Sequence, residues 1–168
     1  MKKTCIILCL LLSALVPGPS SAGGSFIPSQ VSDLLDDLGA MPGLNQTSIG
    51  KTATALNAGA SISVMHLVAL NSSSQWVKAD AVSVYAGILG IALESKSSGP
   101  IKVALPHSII RNDTWTWTPG ATLYISTSSG GITAVQPNGA DQAVRVIGFA
   151  LDATDIYFNP SQDYITHQ

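Results

Sequence analysis

Two tryptophans and two carboxylates are the residues of this chain whose types and spacing could do chemistry. Trp115 and Trp117 flank Thr116, and at strand spacing both indoles fall on one face. An exposed pair of this kind stacks on sugar rings, while a covered pair fills an intrachain core or a subunit interface. The sequence leaves these three uses open, and ligand stacking by Trp115 and Trp117 is the functional one. Glu94 and Asp152 close two similar apolar runs, so a duplicated fold would place them at equivalent strand ends. Glycoside hydrolysis needs such a carboxyl pair flanking one bond. The competing account is that each carboxylate simply ends a strand at the solvent.

Other chemistries lack their local signatures. His66, His107 and His167 stand apart from any Asp, Glu or second His at a spacing that builds a metal site on one element. Serines are abundant, but no Gly-x-Ser-x-Gly elbow occurs. The stretch from Gly43 to Thr52 resembles a phosphate-binding loop, but six residues separate Gly43 from Gly50 where that motif has four. The expectation is a non-enzymatic protein with no catalytic residue, no cofactor and no metal.

The elements that position these residues repeat. Ile88-Leu89-Gly90-Ile91-Ala92-Leu93-Glu94 returns as Val146-Ile147-Gly148-Phe149-Ala150-Leu151-Asp152. Before the first lies Leu67 to Leu70 and before the second Leu123 to Thr127, each followed by a Ser-rich turn. Self-similarity of this kind reads as an internal duplication, with Ala60 to Glu94 and Gly120 to Asp152 as halves related by a pseudo-twofold axis. Short apolar runs separated by turn residues fill the chain from Ser61 onward, which argues for an all-β barrel or sandwich. The glycines inside the repeated run mark a bulge or sharp bend.

Composition narrows the setting. The chain has 168 residues, 46% of them apolar and 11% charged, with a formal net charge of −2. It can bury a sizeable core, and it lacks the clustered Lys and Arg that nucleic-acid binding requires. Lys2-Lys3, an apolar run from Cys5 to Val16 and a small-residue site at Ser20-Ser21-Ala22 read as a secretory signal peptide over residues 1–22. Cleavage there removes Cys5 and Cys9, leaving a mature chain without cysteine. Membrane contact is then expected only through the signal peptide before cleavage.

Residues 23–60 are expected to hold a leader, a short helix and an extended linker, followed by a β-domain over 61–168. Ser29 caps the helix, whose apolar residues Val31, Leu34, Leu35 and Leu38 share one face. A helix of about two turns is marginal alone. With Phe26 and Ile27, that face is the expected assembly interface. Sequons at Asn45, Asn71 and Asn112 matter if the host glycosylates them, and Asn71 and Asn112 fall in expected turns.

The run from Gly120 to Thr133, then Val144 to Asp152, then Ile156-Tyr-Phe-Asn-Pro-Ser-Gln-Asp-Tyr164 resembles a small β-domain of bacteriophage tail-fibre and capsid-decoration proteins. The resemblance covers about Ala60 to Tyr164. It implies a non-enzymatic, often trimeric domain on the outside of a particle or fibre, and residues 31–60 look like the connectors that precede such domains. The signal peptide departs from that pattern and points to a secreted or cell-surface assembly, with a virion surface as the alternative. The expected function is a structural protein that self-assembles into a homo-oligomer, a trimer or an extracellular filament. The alternative is a glycan- or receptor-binding module of a fibre or adhesin.

Overall fold

The computed structural model describes residues 46–168, and every described element is β. The strands are β1 (Thr47–Ile49), β2 (Thr52–Ala53), β3 (Asn57–Ala58), β4 (Leu67–Leu70), β5 (Gln75–Lys78), β6 (Leu89–Ala92) and β7 (Val103–Ala104). They continue as β8 (Ser108–Arg111), β9 (Thr122–Ile125), β10 (Ile132–Thr133), β11 (Ala143–Val144), β12 (Val146–Ala150), β13 (Asp155–Phe158) and β14 (Ile165–Thr166). Sheet I has the order β1-β8-β13-β12-β9-β10, sheet II the order β2-β7-β6-β4-β5-β3, and β11 pairs β14 in a small ribbon. The expected all-β class holds as a sandwich-like arrangement of open sheets. The barrel alternative does not, because both six-stranded sheets end in separate edge strands, β1 and β10 in one and β2 and β3 in the other.

The alternation of small and branched residues decides what each sheet buries. Leu67, Ala69, Leu89, Ile91 and Ala104 of sheet II share one core with Ile110, Leu123, Ile125, Ile147, Ala150, Ile156 and Phe158 of sheet I. The opposite face of sheet II is also covered: Val68, Trp76, Ala92 and Val103 pack with Ala58, Ile62 and Ile101 in a second cluster. Sheet II is therefore apolar on both faces. Sheet I alternates buried and part-exposed residues along β8 and β9, the pattern of a sheet with one free face.

The order β7-β6-β4-β5 in sheet II is matched by β13-β12-β9-β10 in sheet I. The two copies of the repeated run, β6 and β12, hold corresponding places in them. They differ at the glycine. In β6 the pairing is regular, with Gly90 opposite Val68 and Ile91 opposite Leu67. In β12 the register shifts between Val146 and Gly148, which pair with Tyr124 and Leu123. Such a bulge adds one residue to a strand and turns the following side chains to the other face. Ile91 is consequently sealed in the shared core, whereas its counterpart Phe149 is 47% exposed.

Two sequence expectations are corrected. Described residues 46–60, expected as linker, carry β1, β2 and β3, each paired in a sheet. Strands of two or three mostly small residues are held by backbone pairing and leave no periodicity to read. Trp115 and Trp117 lie outside any strand, in the connection from β8 to β9. The signal peptide (1–22), the short helix and the assembly residues Phe26, Ile27, Val31, Leu34, Leu35 and Leu38 lie outside the described residues.

Candidate functional site

The free face of sheet I carries a row of large side chains that cross-strand pairing brings into line. Ile49 of β1 pairs Ile109 of β8, Ile109 pairs Tyr157 of β13, Tyr157 pairs Phe149 of β12, and Phe149 pairs Thr122 of β9. Directly paired residues share a face, so Ile49, Ile109, Tyr157 and Phe149 form one continuous apolar-aromatic ridge. Leu151, two residues beyond Phe149, is 44% exposed. Within the ridge the Tyr157 hydroxyl lies 3.1 Å from Nδ1 of His107, a residue whose backbone is left-handed at φ 66°.

The sequence did not single out this ridge, because Phe149 occupies the place of the buried Ile91 in the repeat. Only the bulge at Gly148 turns it outward. The signal available was the glycine itself, which marks a bulge in a strand without saying which way the following residues turn.

Arg111 and Asp155 pair on the next row across β8 and β13. Asp155 is only 1% exposed, and its Oδ1 is buried without a hydrogen-bond partner. Burial, then the neighbouring Asp152 carboxylate, push the Asp155 carboxyl above its ordinary value, against the pull of Thr154 and Arg111. Asp152 shifts the other way. Its Oδ1 accepts the backbone N–H groups of Thr154 at 2.7 Å and Asp155 at 2.8 Å, and these bonds hold its carboxyl low. Arg111 Nε donates to Asp113 Oδ1 at 2.6 Å.

Linkage sets opposite signs for the two acids. Stability from Asp152 is present above its unfolded value and lost as pH falls through the depressed one. Stability from neutral Asp155 is present below its unfolded value of 3.8 and lost as pH rises through the raised one. Asp155→Asn, which stays neutral, is expected to flatten the decline of thermal stability above about pH 4 and to leave the acid limb in place. Melting temperatures across pH check this, and an unchanged profile would refute it.

The residues expected to do chemistry are placed as follows. Glu94 Oε1 accepts the Lys102 N–H at 2.8 Å, and its Oε2 lies 4.0 Å from the Lys96 ammonium in an exposed pair. Glu94 and Asp152 follow strands of different sheets, and each binds the backbone of its own turn or neighbour. Trp115 and Trp117 sit with ring centroids 5.8 Å apart at an interplanar angle of 53°. Both are half-buried and pack against the shared core, and the Trp117 Nε1 is enclosed without a partner. Both indoles thus lean on the shared core while part of each stays accessible.

His66 is held by the Ser63 N–H on its Nδ1, and burial followed by Lys78 lowers its basicity. His167 Nε2 lies 3.1 Å from the Pro137 carbonyl oxygen. Among the described residues, no group of three or more His, Cys, Asp or Glu is placed to hold a metal ion. Gly50, in the stretch that resembled a phosphate loop, instead packs against Ser108 in the turn from β1 to β2. The sequon Asn112 is buried, and its Oδ1 accepts from the Thr114 backbone and hydroxyl. A glycan is thus not accommodated at Asn112 in the folded chain, contrary to the expectation for a turn. Asn71 does sit in a turn, where its Oδ1 accepts the N–H groups of Ser73 and Gln75.

No helix among the described residues is long and apolar enough to cross a membrane. Comparison with protein-family models, with curated proteins and with solved structures finds no match to this chain.

Proposed function

We propose that the chain is an exported, non-enzymatic structural protein whose β-domain self-associates, as a trimer or as the repeating subunit of an extracellular fibre on a cell or virion surface. The observation that carries the reading is the ridge of Ile49, Ile109, Tyr157 and Phe149 on the free face of sheet I. Phe149 is 47% exposed and Ile49, Ile109 and Tyr157 are half-buried, and apolar side chains that reach the surface side by side mark an interaction site. Sheet II offers the comparison, since its outer face is covered by the chain's own residues. A second copy laid on the ridge would cover sheet I in the same way.

The matching strand orders of the two sheets support a duplicated four-strand unit in which one half carries a bulge that turns Phe149 outward. The apolar residues Phe26, Ile27, Val31, Leu34, Leu35 and Leu38 are proposed as a further assembly segment that joins chains through their own counterparts. Secretion follows in this reading from the leader at residues 1–22. Sedimentation of the full chain over a range of concentrations tests the proposal. Faster species at higher concentration are expected, and a single monomer boundary throughout would contradict it.

A further inference from the structure

We propose that the pocket between the β9–β10 hairpin and the loop leading to β11 is a binding site for a neutral, polyhydroxylated ligand, a saccharide in class. It is an open pocket of about 310 Å³ lined chiefly by Ser126, Thr133, Val135, Gln136, Asn138 and Gln142. That volume is at the lower end of the range for small-molecule sites. Not one of its lining residues is ionisable. A phosphate or carboxylate ligand would find no cation there, a metal ion no carboxylate, and a nucleobase no aromatic ring to stack on. Hydroxyls and amides remain, and their natural partners are the alternating donors and acceptors of a sugar edge.

The polar groups are oriented before any ligand arrives. Ser126 Oγ accepts the Ser128 N–H at 3.1 Å and Thr133 Oγ1 accepts the Val135 N–H at 3.0 Å. Each hydroxyl therefore keeps its own proton to donate. Gln142 Oε1 accepts the Gly139 N–H at 2.9 Å, which fixes the amide and leaves Nε2 as a donor. Val135 is 76% exposed and offers an apolar patch for the C–H face of a ring.

The loop is pinned at its base. His167 Nε2 is within hydrogen-bond reach of the Pro137 carbonyl, Asp141 N–H donates to the His167 carbonyl, and His167 N–H donates to that of Gln142. Pre-set donors lower the ordering cost of binding. Trp115 and Trp117 are not among its lining residues, and it does not depend on self-association of the ridge.

Saturation-transfer NMR on the full chain, with a panel of neutral mono- and disaccharides and with inorganic phosphate and glucuronate as charged controls, tests the inference. Neutral sugars are expected to give signal and the charged probes none. Gln142→Glu keeps the Oε1 acceptor for Gly139 and removes the Nε2 donor, so affinity should fall about tenfold or more. The double change Trp115→Ala, Trp117→Ala should leave binding intact. Absence of signal from every neutral saccharide, or a signal that survives Gln142→Glu and disappears with the tryptophans, would overturn the proposal.

Discussion

Replacing Gly148 by alanine is expected to cost about 3 kcal/mol or more and to leave little cooperative unfolding. A Cβ at this position would overlap the Tyr157 carbonyl oxygen and crowd the Asn159 nitrogen, and the backbone stands at φ +153°. The obstacle is neighbouring main chain, which cannot move without breaking the pairing of β12 with β13. Graded controls separate space from conformation. At Gly90 the backbone is ordinary, and an added methyl would collide with the buried Val103 side chain and touch the Ala104 carbonyl oxygen only at 3.0 Å, so the clash with main chain is milder than at Gly148. Gly120 has φ +79° but nothing within 4 Å, so alanine there should cost only the left-handed strain of about 1 kcal/mol. Denaturant unfolding should therefore rank the losses Gly148 first, Gly90 second and Gly120 last. Equal losses at Gly148 and Gly120 would mean that close approach across the bulge is not what requires the glycine.

Removing the Arg145 side chain should be comparably severe. Arg145 is 2% exposed, and its guanidinium donates to three carbonyls: Ser161 from Nε, Tyr85 from Nη1 and Gly87 from Nη2. Burial makes the cation easier to deprotonate, with Tyr164 opposing that effect. An arginine so placed stays charged. The carbonyls belong to the 85–87 loop ahead of β6 and to the segment after β13, so one side chain ties the sequel of sheet I to the approach to sheet II. Arg145→Met fills much of the same volume but strands three acceptors, and unsatisfied buried groups cost about 1–3 kcal/mol each. A stability loss of about 3–5 kcal/mol is expected. Arg145→Lys should recover only part of it, since an ammonium lacks the planar fork that reaches divergent acceptors. Full stability of the lysine variant would show that charge alone suffices.

The parts of this fold that were legible in the sequence are those with strong local signals. The repeated run identified β6 and β12 because an apolar stretch broken by glycine is a distinctive pattern, and the Ser-rich turns located the hairpins. The edge strands β1 to β3 were not legible, because Thr47–Ile49, Thr52–Ala53 and Asn57–Ala58 are too short to show a period and owe their form to distant partners. Trp115 and Trp117 misled for a related reason: alternate spacing reads as a strand, while here the rings converge from an irregular loop held by backbone bonds such as Trp117 N–H to the Ala153 carbonyl. The ridge of sheet I depends on register. A bulge in one copy of a repeat is invisible to the repeat, yet it decides whether the residue after the glycine faces the core or the solvent. The pocket near Gln142 likewise joins residues from a hairpin and a loop whose closure is set by β11 and β14.

Most of the candidate site thus arises from one comparison, Ile91 buried and Phe149 exposed at matching places. The bulge carries the difference, and its consequence is that Phe149 joins the half-buried Ile49, Ile109 and Tyr157 on the outer face. Exposed large side chains elsewhere serve as the control. Val82 is 54% exposed, but it sits in the turn where Asp80 Oδ1 accepts the N–H groups of Val82 and Ser83, away from the ridge.

Sedimentation velocity on the full-length chain, its Phe149→Lys variant and its Val82→Lys variant is the most direct measurement. Placing a charge at the most exposed position of the ridge should shift the distribution to monomer while far-ultraviolet circular dichroism and melting stay near those of the parent. Val82→Lys should sediment as the parent does, in concentration-dependent oligomers. Oligomers undiminished by Phe149→Lys, or a parent chain that is monomeric at every concentration, would contradict assembly through the free face of sheet I.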